Sequence, residues 1–177
     1  MSYSGKCLEG FGVKYETPYI RNGIYNCILG GAFDDSIKRD RVRMLLDHDD
    51  DLEFGCSQSN LILESSDYGL GFRVHLHKDD ISKRVTALAE SKTYLDCSIG
   101  FSFRKSDSST RVIGHHDVLL IHRATLLEIS FLAAGQVEQT SASLVDADKC
   151  EPLFESMTRL VSENKFVHLM RTLRDMK

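Results

Sequence analysis

The feature that most constrains this chain is a period of two in its apolar residues. Across residues 95–104, Cys97, Ile99, Phe101 and Phe103 alternate with Ser98, Gly100 and Ser102. Such alternation places the two classes on opposite faces of a β-strand. Residues 71–76 repeat the pattern, with Phe72, Val74 and Leu76 on one face and Arg73 and His75, joined by His77, on the other. This run and Leu61-Ile62-Leu63 flank Ser65-Ser66-Asp67-Tyr68-Gly69, which predicts a hairpin. Residues 24–29 read as a strand ending at Gly30-Gly31, residues 42–46 as a short apolar run, and residues 118–132 as one long β-prone segment. Residues 105–110 read as a serine-rich polar loop.

Helical spacing appears in two places. Behind Asp80 as an N-cap, Ile81, Val85 and Leu88 recur at i, i+4 and i+7. From Pro152 onward, Leu153, Met157, Leu160 and Val161 form one apolar stripe, and Phe166, Leu169, Met170 and Leu173 form another. The expected fold is α+β, a mostly antiparallel β-barrel or sheet core surrounded by helices. The 177 residues fit a single domain spanning 1–177, with an amphipathic helical segment at 152–177.

Composition narrows the partners. The net charge is −4 with both signs interspersed, and no basic stripe with interleaved aromatics appears, so nucleic acid is not an expected partner. The apolar runs, such as residues 118–121, are too short for a bilayer, and Met1-Ser2-Tyr3-Ser4-Gly5-Lys6 lacks the apolar core of a signal peptide. Action in a cytoplasm is expected. The 5 cysteines are odd in number and form no CxxC pair, which predicts reduced thiols rather than disulfides.

Several residues could carry chemistry. Ser98 lies on a strand face whose other members, Gly100 and Ser102, are also small. A face without bulk admits either a packed neighbouring element or a substrate. Cys97 beside it points to the opposite face, toward a core. His48 ends an apolar run and sits among Asp47, Asp49, Asp50 and Asp51. That stretch reads as a solvated acidic loop or as the setting of a base, because the glycine and closing glutamate of a calcium loop are not at the required offsets. His75 and His77 share a face without a third ligand, which reads as a solvated sheet face, and His115-His116 after Gly114 reads as a turn. Glu128 stands inside Leu126-Leu127-Glu128-Ile129-Ser130-Phe131. A carboxylate there either faces solvent on an edge strand or holds a histidine.

Taken in order, these segments resemble the prohead proteases of tailed phages, distant relatives of the herpesvirus assemblins. The resemblance is carried by Gly30-Gly31-Ala32-Phe33, by Val42-Arg43-Met44-Leu45-Leu46-Asp47-His48-Asp49, by Gly55, by Asp67-Tyr68-Gly69-Leu70, by Cys97-Ser98-Ile99-Gly100-Phe101 and by Leu127-Glu128-Ile129-Ser130-Phe131. It spans a core of about residues 24–145. One departure stands after the last strand, where the family often has Pro-Ala-Asn and this chain has Ala133-Ala134-Gly135-Gln136.

The resemblance implies a serine endopeptidase in which Ser98 is the nucleophile, His48 its general base and Glu128 the residue that orients the imidazole. In assemblins a second histidine takes the third place, and His122, which shares strand parity with Glu128 along residues 118–132, is the fallback. Six strand residues, about 20 Å, would separate His122 from Glu128, so one imidazole cannot use both. The implied substrates are segments of the major capsid protein and scaffold, and the protease itself, cut inside the assembling prohead in the host cytoplasm. A homo-dimer or higher oligomer is implied, and no cofactor, metal or membrane. The contrasting expectation is a catalytically silent capsid- or scaffold-binding module with the same fold.

Overall fold

The computed structural model describes residues 2–134 and 140–163. In chain order the elements are β1 (Tyr3–Lys14), β2 (Tyr19–Arg21), β3 (Ile24–Ile28), α1 (Asp34–Arg39), β4 (Arg43–Leu46), β5 (Asp49–Cys56), β6 (Leu61–Ser65), β7 (Gly69–His77), α2 (Asp80–Glu90), β8 (Tyr94–Ser102), β9 (Ser108–Ile113), β10 (His116–Ile121), β11 (Thr125–Ala133), β12 (Ser141–Asp146) and α3 (Leu153–Glu163). The strands form three four-stranded sheets, ordered β12-β1-β7-β6, β2-β3-β10-β9 and β5-β4-β11-β8. Pairing is antiparallel except where β3 meets β10 and β4 meets β11. The architecture is mostly β with few helices, and its sheets are open rather than closed into the barrel that was one form of the expectation. Among the described residues no helix is long and apolar enough to cross a membrane.

The period-two pattern predicts the core except at Phe103, which lies past the end of β8 and is exposed. Phe72, Val74 and Leu76 of β7 are fully buried, and Cys97 of β8 joins them with Met44 and Leu46 of β4 and Ile129 and Phe131 of β11 in one cluster. The β6–β7 hairpin forms across the expected turn. Helix α2 lays Ile81, Val85 and Leu88 on that core, and its N-cap is Asp79, one residue before the expected Asp80. The Asp79 carboxylate accepts the Ser82 N–H at 2.8 Å, closing a helix donor that would otherwise lack a partner.

Three local expectations are corrected, and one strand stands where none was expected. The sequence pattern did not mark residues 3–14 as a strand, yet β1 is a central strand of its sheet, between β12 and β7. The serine-rich segment is not a loop throughout, since β9 begins at Ser108 and pairs with β10. The segment 118–132 is two strands in different sheets, broken at residues 122–124. The polar face of β7 is not simply solvated. Arg73 is 6% exposed and bonds the equally hidden Glu9 through Nε at 2.8 Å, beneath α3. A buried guanidinium is tolerable only when paired in this way.

Helix α3 turns Leu153 and Met157 inward against Phe11. These two members of the first stripe are therefore used within the chain. The second stripe, Phe166 to Leu173, lies outside the described residues.

Candidate active site

The site grows from one irregularity in a strand. In the β8–β11 ladder Phe101 faces Leu126 and Gly100 faces Glu128, so Leu127 is an extra residue on β11. A bulge of this kind reverses the parity of everything that follows it. Leu126, before the bulge, is buried in the core, and so are Ile129 and Phe131 after it. Glu128 and Ser130 are thereby turned to the opposite face, where their cross-strand partners are Gly100 and Ser98. Leu127 itself is 46% exposed.

The small side chains of β8 now have a use. A Cβ built on Gly100 would lie 2.5 Å from Glu128 Oε1. The glycine is therefore the space into which the carboxylate folds, and no L side chain fits there without moving it. Cys97 points the other way, fully buried, and burial pushes its thiol well above the ordinary cysteine range. Its backbone N–H donates to Thr140 Oγ1 at 2.8 Å. The thiol is a core group, protonated and hidden, and lacks the electropositive setting of a reactive cysteine.

The imidazole arrives from the β4–β5 hairpin. Leu46 pairs with Asp49, leaving Asp47 and His48 as a two-residue turn with φ of 57° and 60°. Both residues are left-handed, as a type I′ turn requires. The turn is held from below by three hydrogen bonds. Asp47 N–H donates to the Phe131 carbonyl at 3.1 Å, Tyr94 Oη donates to Asp47 Oδ2 at 2.8 Å, and His48 N–H donates to Ser130 Oγ at 3.1 Å.

His48 Nδ1 lies 2.9 Å from Glu128 Oε1. The carboxylate can only accept, so Nδ1 carries the proton and Nε2 is the free nitrogen of the neutral ring. Glu128 is 7% exposed, and its second oxygen accepts the Ser130 hydroxyl at 2.7 Å. The loop aspartates are occupied elsewhere. Asp47 holds Tyr94, Asp50 Oδ1 is 2.6 Å from Arg43 Nη1, and Asp49 Oδ1 accepts the Asp51 N–H at 2.9 Å. The acidic stretch is thus a hairpin end in which Asp47, Asp49 and Asp50 have partners other than the imidazole. Among the described residues Glu128 is the carboxylate in contact with the imidazole.

His122 does not share a strand with Glu128. It follows β10, donates its N–H to the Asp107 carbonyl at 2.9 Å, and sets Nε2 2.7 Å from Ser109 Oγ. His122 and Glu128 share parity only along one continuous strand, and the chain breaks at residues 122–124 between two sheets. Two residues of the site went unassigned at the sequence level. Ser130 was visible only as part of a matched segment, and Tyr94 carried no signal at all.

A groove of about 590 Å³ opens over this face, lined by Ser98, His48, Glu128 and Leu127 and, from β1 and β2, by Val13 and Tyr19. Such a volume holds several side chains of an extended peptide. Gly135 and Gln136, in the segment that departs from the family pattern, lie outside the described residues.

Among curated proteins none matches the chain. Two structures of the Kaposi's sarcoma-associated herpesvirus protease with allosteric inhibitors are similar. One aligns with a TM-score of 0.46 at 14% identity and the other with 0.47 at 12%, each covering 90% of this chain and 88% of that chain. The family model described as Caudovirus prohead serine protease matches residues 2–153, a span that takes in β1 and every strand of the groove as well as the expected core. The chain belongs to the caudovirus prohead serine protease family.

Proposed function

We propose that this protein is a serine endopeptidase that cuts scaffold and capsid-protein segments, and itself, inside the assembling prohead. The observation that carries the reading is the 2.9 Å contact between His48 Nδ1 and Glu128 Oε1 at a groove that Ser98 also lines. Ser98 Oγ attacks the scissile carbonyl while His48 Nε2 takes its proton. The C–N bond then breaks, the same proton passes to the departing amine, and water hydrolyses the acyl-enzyme with His48 again as base. Glu128 keeps the imidazole in the required tautomer and stabilises the imidazolium as it forms. Family membership supports the prohead as the place of action and capsid and scaffold chains as substrates. We expect the enzyme to work as a dimer or larger assembly.

A fluorophosphonate tests the nucleophile without knowledge of the cleavage site. Ser98 Oγ would displace fluoride at phosphorus, its proton leaving through His48. Labelling at Ser98 should be lost in Ser98→Ala and reduced at least about 10³-fold in His48→Ala, and Cys97→Ala should still label. Co-expression with the capsid and scaffold proteins, read by intact mass, reports cleavage directly. Undiminished processing by Ser98→Ala defeats the serine mechanism. A folded wild type that neither labels nor cuts favours the silent binding module.

A further inference from the structure

We propose that Ser130 is a positioning residue of this site, locking the His48 turn and the Glu128 carboxylate into one unit. A hydroxyl has one proton to donate and two lone pairs to accept with. Here the proton goes to Glu128 Oε2 at 2.7 Å, and a lone pair receives the His48 N–H at 3.1 Å. One buried atom therefore determines where the carboxylate points and where the turn bearing the imidazole sits. Glu128 and His48 meet through the opposite oxygen and the ring, so the three residues close a hydrogen-bonded cycle. Ser130 is also the cross-strand partner of Ser98, which ties the cycle to the strand that carries the nucleophile.

Two features separate this role from a second nucleophile or from plain packing. Ser130 has no exposed surface, and its proton is committed to a carboxylate, so it cannot attack a substrate. A packing residue at a buried strand position would be apolar, as Ile129 and Phe131 on either side are. The hydroxyl supplies what an apolar side chain could not, since His48 stands at φ 60°, off the regular ladder, with its N–H aimed at a side chain instead of a strand carbonyl. Without Ser130 that N–H and one carboxylate oxygen lose their partners together. Displacing a base by about 1 Å lowers rates by about 10²-fold.

The consequence for rate rests on the serine-protease reading above, whereas the contact itself does not, and the experiment separates them. Ser130→Ala removes both hydrogen bonds. Ser130→Cys keeps the shape with a much weaker donor and acceptor, and serves if the alanine variant fails to fold. The first readout is the rate of labelling by a fluorophosphonate, expected to fall about 10- to 100-fold in either variant. The second is the nitrogen-bound ring proton of His48 by NMR in a Ser98→Ala background, where no reaction occurs. That resonance should move toward the position found in Glu128→Gln. An unchanged ring resonance overturns the proposal whatever the labelling rate, as does wild-type labelling in both variants. If the unmodified enzyme does not label at all, the protease reading fails, and the ring resonance alone decides whether Ser130 positions the histidine.

Discussion

Two hairpins in this molecule make the same turn from different residues. Between β2 and β3, Arg21 pairs with Ile24 around Asn22-Gly23, whose φ values are 52° and 74°. Between β4 and β5, Leu46 pairs with Asp49 around Asp47-His48, at 57° and 60°. Asn-Gly is the pair that this backbone prefers, because glycine carries no Cβ to clash and asparagine tolerates the left-handed region. Asp-His is not. A left-handed non-glycine residue costs about 1–2 kcal/mol, and at the second turn that cost is offset by a hydrogen bond donated by Tyr94 and by two accepted by Ser130 Oγ and the Phe131 carbonyl. The first turn is shaped by its own residues, whereas the second is imposed by its surroundings in order to present one side chain. Strain of this kind concentrates at functional sites.

The sharpest break in the comparison is a glycine gained in one turn and lost from the other. His48→Gly should lower fluorophosphonate labelling at least about 10³-fold. Its unfolding free energy should change by less than about 1 kcal/mol, since relief of the left-handed residue offsets one lost hydrogen bond. In the β2–β3 turn the pattern inverts. Gly23→Ala should leave labelling unchanged and lower stability by about 1–2 kcal/mol. Equal loss of labelling in both variants would mean that the β4–β5 turn has no special role.

Next in size is Gly100→Ala. Its new Cβ would stand 2.5 Å from Glu128 Oε1, so the carboxylate must leave the imidazole. Labelling should fall about 10- to 100-fold and stability by about 1–3 kcal/mol. If chemical denaturation shows the stability loss while labelling is retained, the Glu128 contact is not what supports His48. A smaller effect of opposite sign is expected for Asp47→Gly. It removes left-handed strain and sacrifices only an exposed bond to Tyr94, for a net gain of about 0.5 kcal/mol. A destabilised variant would show that the Tyr94 contact outweighs the strain.

The smallest expected effect is a titration. The hydrogen bond to Asp47, and secondarily burial, raises the Tyr94 hydroxyl above the ordinary tyrosine value of 10.0. A raised acid stays protonated longer in the folded chain. The staple is therefore fully present below about pH 10 and is lost as pH rises through the raised value. Absorbance at 295 nm should show one tyrosine ionising earlier in Asp47→Asn than in the wild type. Superimposable curves would remove Tyr94 from the turn. Among the described residues Asn22-Gly23 has no such side-chain staple, and its backbone preference needs none.

What the chain determines by itself is whatever depends on neighbours in sequence. The alternation of Cys97, Ile99 and Phe101 with Ser98 and Gly100 is enough to place the thiol in the core and the hydroxyl outside it, because side-chain direction along a strand follows from the backbone alone. The β6–β7 hairpin and the face of α2 are legible for the same reason, whereas the segments bearing His48, Ser98 and Glu128 stand out through their resemblance to the family. Local pattern failed where a second strand decides the outcome. In β1 the spacing of Cys7, Leu8 and Phe11 becomes meaningful only between β12 and β7. The parity assigned to His122 assumed a continuous strand, and the break at residues 122–124 serves two different sheets. The Leu127 bulge is invisible in an apolar run, since it exists only as a mismatch in register against β8. That mismatch turns Glu128 out of the core and over Gly100, within reach of a histidine 80 residues away. Register and closure between distant strands are properties of pairs, and only the tertiary structure brings the pairs together.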